Sequence, residues 1–126
     1  MLTSIMAISA GASCGAILRW VLGTHLNQLW SVMPVGTLLA NLIGGLLVGI
    51  AVPWLSQQSA IAPEWRLLII TGFLGGLTTF STFSAEVMAM LLEQKWGHAI
   101  TTATLHLLGS LLLTLMGFML VRFLYR

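Results

Sequence analysis

Four apolar runs, each long enough to cross a bilayer, constrain this sequence more than anything else in it. They cover residues 2–22, 33–55, 65–92 and 99–124. A water-facing surface cannot be built around them. Hydrophobic residues make up 58% of the 126-residue chain and charged residues only 6%, where a soluble domain carries about a quarter charged. The runs do not alternate and are too long for strands, which excludes an outer-membrane barrel. The expected fold is therefore an all-α membrane protein with four transmembrane helices in one domain, residues 1–126. A net charge of +2 gives no basic surface and so no nucleic-acid partner. The single cysteine, Cys14, excludes an intrachain disulfide.

The connections are short and polar: residues 25–31, then 56–59 leading to Pro63-Glu64, then 93–98. Pro34 and Pro63 stand near helix starts, where proline is tolerated, and Pro53 near the end of the second run. Trp20, Trp30, Trp54, Trp65 and Trp96 all fall at or beside expected helix ends, as an interfacial aromatic belt does. The first four residues hold no Lys or Arg, and the first run continues past any small-residue cleavage site. Both points argue against a cleaved signal. An even helix count puts Arg66, Arg122 and Arg126 on one side and Arg19 and Lys95 on the other. Three against two is almost no positive-inside bias, which leaves both insertion directions open.

Polar residues in such helices usually face protein or water, so their spacing is informative. Gly11, Gly15 and Arg19 stand four apart in the first run, and Gly11–Gly15 is a small-xxx-small packing motif. Arg19 lies near the end of its run, which favours snorkelling to the interface. Its other use is a fixed positive charge at the mouth of an anion path. In the second run Thr37, Asn41, Gly45 and Gly49 stand four apart. Asn41 needs a partner, and spacing alone favours an interhelical hydrogen bond of roughly 0.6 kcal/mol over a ligand role. In the fourth run His106, Ser110 and Thr114 form a similar stripe: either one wall of a polar track, or side chains bonded between helices or back to their own.

The third run is the most informative. Three glycines and a dense Thr/Ser segment occupy residues 71–84, a poor continuous helix, so a break is expected between about Gly75 and Thr79. Non-helical backbone at that depth survives only inside protein or along a cavity. Freed carbonyls there can coordinate a cation, and freed amides can face an anion. Beyond the break Phe80 and Phe83 share a face, Ser81 and Ser84 form a neighbouring pair, and Glu86 follows. Such rings are commonly mere packing. Their electropositive edges could also contact a small anion beside the Asn41 amide, with no fixed charge to trap it.

At residues 75–84, Gly-Gly-Leu-Thr-Thr-Phe-Ser-Thr-Phe-Ser, the sequence resembles the Fluc (CrcB) family of fluoride channels. Residues 11–19 resemble that family's first-helix motif and residues 36–44 its second-helix motif, so the likeness covers essentially the whole chain. The resemblance implies a dual-topology, antiparallel homodimer in the bacterial inner membrane, with two fluoride pores built from both subunits. It implies an aromatic box from Phe80 and Phe83, with Asn41 as a polar ligand and Thr37 and Ser81 nearby. Arg19 would sit near the vestibule, and His106, Ser110 and Thr114 would form the polar track. Gly75 and Thr78 would lend backbone carbonyls to a structural sodium ion at the dimer centre.

Two other classes compete. A small dual-topology proton-coupled multidrug exporter needs a membrane-buried carboxylate, and Glu86 is the only candidate. A non-transporting assembly protein would use the glycine stripes for packing alone. No nucleophile–base pair, metal-ligand spacing or phosphate loop supports an enzyme.

Overall fold

The computed structural model describes all 126 residues as helices and connections, without a strand. Four segments are long and apolar enough to cross a membrane: Leu2–Leu26, Val35–Ser56, Pro63–Leu92 and Trp96–Leu124. We call the first two α1 and α2. The third divides into α3 (residues 63–77) and α4 (Phe80–Leu92), and the last is α5 (Trp96–Leu124). The four-helix expectation holds, with three shifts at the ends. α1 runs four residues beyond Leu22, so Arg19 and Trp20 lie well inside it. Pro34 caps α2 from outside and Pro63 takes the first position of α3. α5 begins at Trp96, so Gly97 and His98 belong to the helix and not to the connection.

The α4–α5 turn shows why that connection is so tight. Gln94 takes a left-handed conformation with φ 59°. Its N–H donates to the Leu91 carbonyl at 3.0 Å and the Lys95 N–H to Met90 at 2.9 Å. These two bonds satisfy carbonyls that the end of α4 would otherwise leave unpaired.

The helices pair through their small residues. α1 lies along α3, with Gly11 and Gly15 fully buried. A Cβ at Gly15 would collide with the Phe73 carbonyl and the Leu77 amide, so the first-helix glycine motif serves contact within the chain. α2 lies along α5 by the same device. A Cβ on Gly49 would run into the Thr114 carbonyl, and one on Gly45 would approach Ser110. Two bonds tie the far end of the bundle: Trp54 Nε1 donates to the Tyr125 hydroxyl at 2.9 Å, and Arg66 to the Leu55 carbonyl at 2.8 Å.

Gly15→Val is expected to lower the unfolding temperature in detergent and reduce the yield of folded protein, at a cost of about 1–3 kcal/mol from overpacking. Gly97, which has nothing within 4 Å of a Cβ, is the control. Gly97→Ala should leave that temperature unchanged or raise it slightly, as measured by thermal unfolding of the purified protein.

Candidate functional site

The break in the third span lies at Thr78 and Thr79, inside the expected window. Thr78 has φ −79° and ψ 154°, and Thr79 φ −150° and ψ 122°: two extended residues between helices. The glycines that suggest a break do not make it. Gly75 and Gly76 are helical, and Gly76 is needed for close approach to Ala12. β-branched threonines prefer extended backbone, and they are where the chain straightens. Before the break, Leu67–Leu74 is wound as a π-helix, which nothing in the apolar pattern of those residues signals.

Nearly every polar group at the break has a named partner. The Thr79 N–H donates to Asn41 Oδ1 at 2.7 Å, and Asn41 Nδ2 donates to the Thr79 carbonyl at 3.0 Å. Asn41 thus pairs with both sides of one extended peptide residue, as a neighbouring strand would. Thr79 Oγ1 accepts the Thr82 N–H at 3.1 Å and caps α4. Thr78 Oγ1 donates back to the Leu74 carbonyl at 2.8 Å. Arg19 closes the other side: its Nε donates to the Gly76 carbonyl at 3.0 Å and its Nη1 to Thr82 Oγ1 at 3.3 Å. The snorkelling expected of Arg19 therefore does not occur. α1 is longer than its charge pattern suggests, and the guanidinium turns inward to bridge both halves of the broken span.

A groove of about 330 Å³ opens beside the break between α2, α4 and α5. It gathers seven of the candidate residues, Asn41, Thr78, Phe80, Phe83, His106, Ser110 and Thr114, together with Thr79. The Phe80 and Phe83 rings meet edge to face with centroids 5.6 Å apart. Phe83 also stacks on His106 at 4.7 Å. Phe80 is 78% exposed, an apolar ring presented by the lone chain to whatever covers the groove. No Asp, Glu, Lys or Arg lines the groove.

The remaining candidates lie elsewhere. Thr37 and Arg19 line a separate hollow with Asn27 and Thr82. There the Thr37 hydroxyl donates to Glu86 Oε1 at 2.6 Å, while Glu86 Oε2 is buried without a partner. Ser81 is exposed and reaches only Thr79 Oγ1, at 3.4 Å. Gly75 lies exposed on the face of the chain. No hydrogen bond outside the regular helices reaches the Gly75 or Thr78 carbonyl, whereas the neighbouring Gly76 and Thr79 carbonyls are taken. Free carbonyls at a helix break are donors that fit a small alkali cation. The Thr114 hydroxyl shares its one proton between the Gly45 carbonyl at 2.9 Å and the Ser110 carbonyl of its own helix at 2.8 Å.

His106 is joined to the break through Asn41, whose Nδ2 lies 2.9 Å from His106 Nδ1. An amide nitrogen can only donate, so Nδ1 accepts and the ring proton sits on Nε2, an assignment made from the network. That Nε2 is buried and has no partner. Thr79, Thr82 and Asn27 carry much of this geometry without being candidates from the sequence. Only the density of Thr and Ser in residues 78–84 points to the first two, and nothing points to Asn27, whose Oδ1 accepts the Thr37 N–H at 3.0 Å.

Residues 6–118 match the sequence profile described as CrcB-like protein, Camphor Resistance (CrcB). The chain belongs to the CrcB family. It is 59% identical over 117 residues to the fluoride-specific ion channel FluC of Pseudomonas aeruginosa (strain UCBPP-PA14), covering 93% of this chain and 92% of that protein. It is 56% identical to the protein of that name from Tolumonas auensis and 54% to that from Burkholderia vietnamiensis (strain G4 / LMG 22486), with 92% and 91% of those chains covered. With four spanning helices, this CrcB chain is a multi-pass membrane protein.

Asn41→Ala should strand both Thr79 backbone groups and lower the unfolding temperature by the equivalent of about 1–3 kcal/mol. The Ser110 hydroxyl donates no hydrogen bond, so Ser110→Ala should cost little in the same thermal assay.

Proposed function

We propose that the chain is one subunit of a passive, fluoride-selective channel and has no enzymatic activity. The observation that carries this is the uncharged groove at the break, where ring edges meet a polar wall. Fluoride holds its water tightly, and a pore must replace that shell with many weak contacts. A fixed cation in the groove would hold the ion too long for rapid exit. Both Asn41 N–H groups are committed, to Thr79 and to His106. The contacts open to the anion are the Phe80 and Phe83 edges and the Ser110 hydroxyl, while the His106 Nε2 proton is unspent but buried. The relatives at 51–59% identity carry the name fluoride-specific ion channel, which agrees with this choice of anion.

The groove of one chain is open, and Phe80 on its rim calls for a cover. We assign that cover to a second copy inserted in the opposite direction, giving an antiparallel homodimer with two pores. The near balance of basic residues between the two sides supports such dual topology. The unpaired Gly75 and Thr78 carbonyls of both copies would hold a structural sodium ion at the dimer centre, which would neutralise facing carbonyls there. In the bacterial inner membrane the channel would release fluoride, which enters as the neutral acid and ionises inside. The half-buried Glu86 carboxylate is the one feature that a proton-coupled exporter would also use.

Fluoride efflux from vesicles holding the purified protein tests this. Phe80→Ile and Phe83→Ile should each lower efflux at least about tenfold while the dimer survives size-exclusion chromatography. The lost contacts act on the ion in transit and not on assembly. Loss of the dimer with unchanged flux per folded protein would assign the rings to packing. Glu86→Gln should leave efflux independent of a proton gradient. Complete loss, with a gradient requirement in the unmodified protein, would favour the exporter.

A further inference from the structure

The polar stripe on α5 continues past Thr114. His106, Ser110, Thr114, Phe118, Arg122 and Arg126 stand four apart, and all but the last lie within the helix. The facing edge of α2 keeps the same step, with Gly45, Gly49, Pro53 and Gln57. A hollow of about 650 Å³ extends this α2–α5 seam beyond the groove, with Pro53, Gln57 and Phe118 in its wall and Arg122 and Arg126 at its end. The Trp54–Tyr125 hydrogen bond fixes one side of its rim.

The two guanidinium groups are unspent. Neither makes a hydrogen bond or ion pair, and both residues are exposed. The chain's one ion pair, Glu93–Lys95, lies at the opposite end of the bundle. Of the other side-chain charges at this end, Arg66 is committed to the Leu55 carbonyl, and Glu64 is the only acidic side chain. Unpaired arginines at a membrane helix end are ordinary; these two also line a hollow on the helix face that carries the anion groove.

We propose that Arg122 and Arg126 form an outer, anion-collecting mouth for the groove. The inference rests on the anion-conducting role proposed above. Exposed fixed charges at a pore mouth raise the local concentration of the opposite ion without holding it tightly. The uncharged groove then discriminates among ions, and the mouth sets how often fluoride arrives. With two copies inserted oppositely, each face of the membrane has one such mouth.

Fluoride flux in neutral phosphatidylcholine vesicles, with impermeant salt varied at fixed fluoride, tests this. At about 10 mM salt, where charge acts over about 30 Å, Arg122→Gln/Arg126→Gln should conduct about three- to tenfold less than the unmodified protein. The two should converge near 1 M, where that reach falls to about 3 Å. Arg122→Lys/Arg126→Lys should match the unmodified protein, and chloride should stay excluded throughout. Should the glutamine variant fold poorly, the unmodified protein alone decides: its flux must fall as salt rises. Equal flux at low salt in a conducting protein would remove the mouth and leave the channel standing. A deficit that persists at 1 M would make the arginines structural. A deficit seen only when anionic lipid is added would make them a lipid headgroup site. Absence of fluoride flux from the unmodified protein would instead defeat the channel itself.

Discussion

Peptide groups cannot go unpaired in hydrocarbon, where each costs several kcal/mol. The third span breaks its helix at Thr78–Thr79, and the surrounding structure answers most of that defect, leaving the Gly75 and Thr78 carbonyls. Asn41 supplies a donor and an acceptor to one extended residue, Thr79 caps the next helix with its own hydroxyl, and Arg19 takes the Gly76 carbonyl. The average membrane hydrogen bond, roughly 0.6 kcal/mol, understates Asn41, because losing it strands a backbone donor and acceptor together.

The same answer shapes the site. The extended residues turn the chain so that Phe80 and Phe83 begin a new helix facing the groove. Asn41 spends both N–H groups on Thr79 and His106, which holds those two residues in place, and His106 is left with a buried, unpartnered Nε2. The Gly11, Gly15, Gly45 and Gly49 contacts hold the helices close enough for these short bonds to form.

Much of this was legible in the sequence because the bilayer permits so few solutions. Length and apolarity define four helices, and the Gly-then-Thr/Ser run places a break within two residues of where it lies. The four-residue spacing puts His106, Ser110 and Thr114 on one face, and the family resemblance groups them and Asn41 with the two rings along one groove. Periodicity says which residues share a face but not which atoms meet. It did not show that Gly75 and Gly76 stay helical, nor that Arg19 turns inward to the Gly76 carbonyl, because both go with Gly76 packing against α1. The π-helix at Leu67–Leu74 is invisible for a similar reason: its residues are as apolar as any other helix here. The stripe puts Thr37 on the Asn41 face, yet one turn before Asn41 its partners are Glu86 and Asn27.

The central claim is that a break braced by Asn41 lets a small, strongly hydrated halide shed its water in an uncharged groove. Vesicles loaded with equal fluoride and chloride, and followed with an electrode for each ion, test it most directly. The account predicts rapid release of fluoride while chloride stays inside until the vesicles are lysed. Release of both ions at the same rate would contradict it.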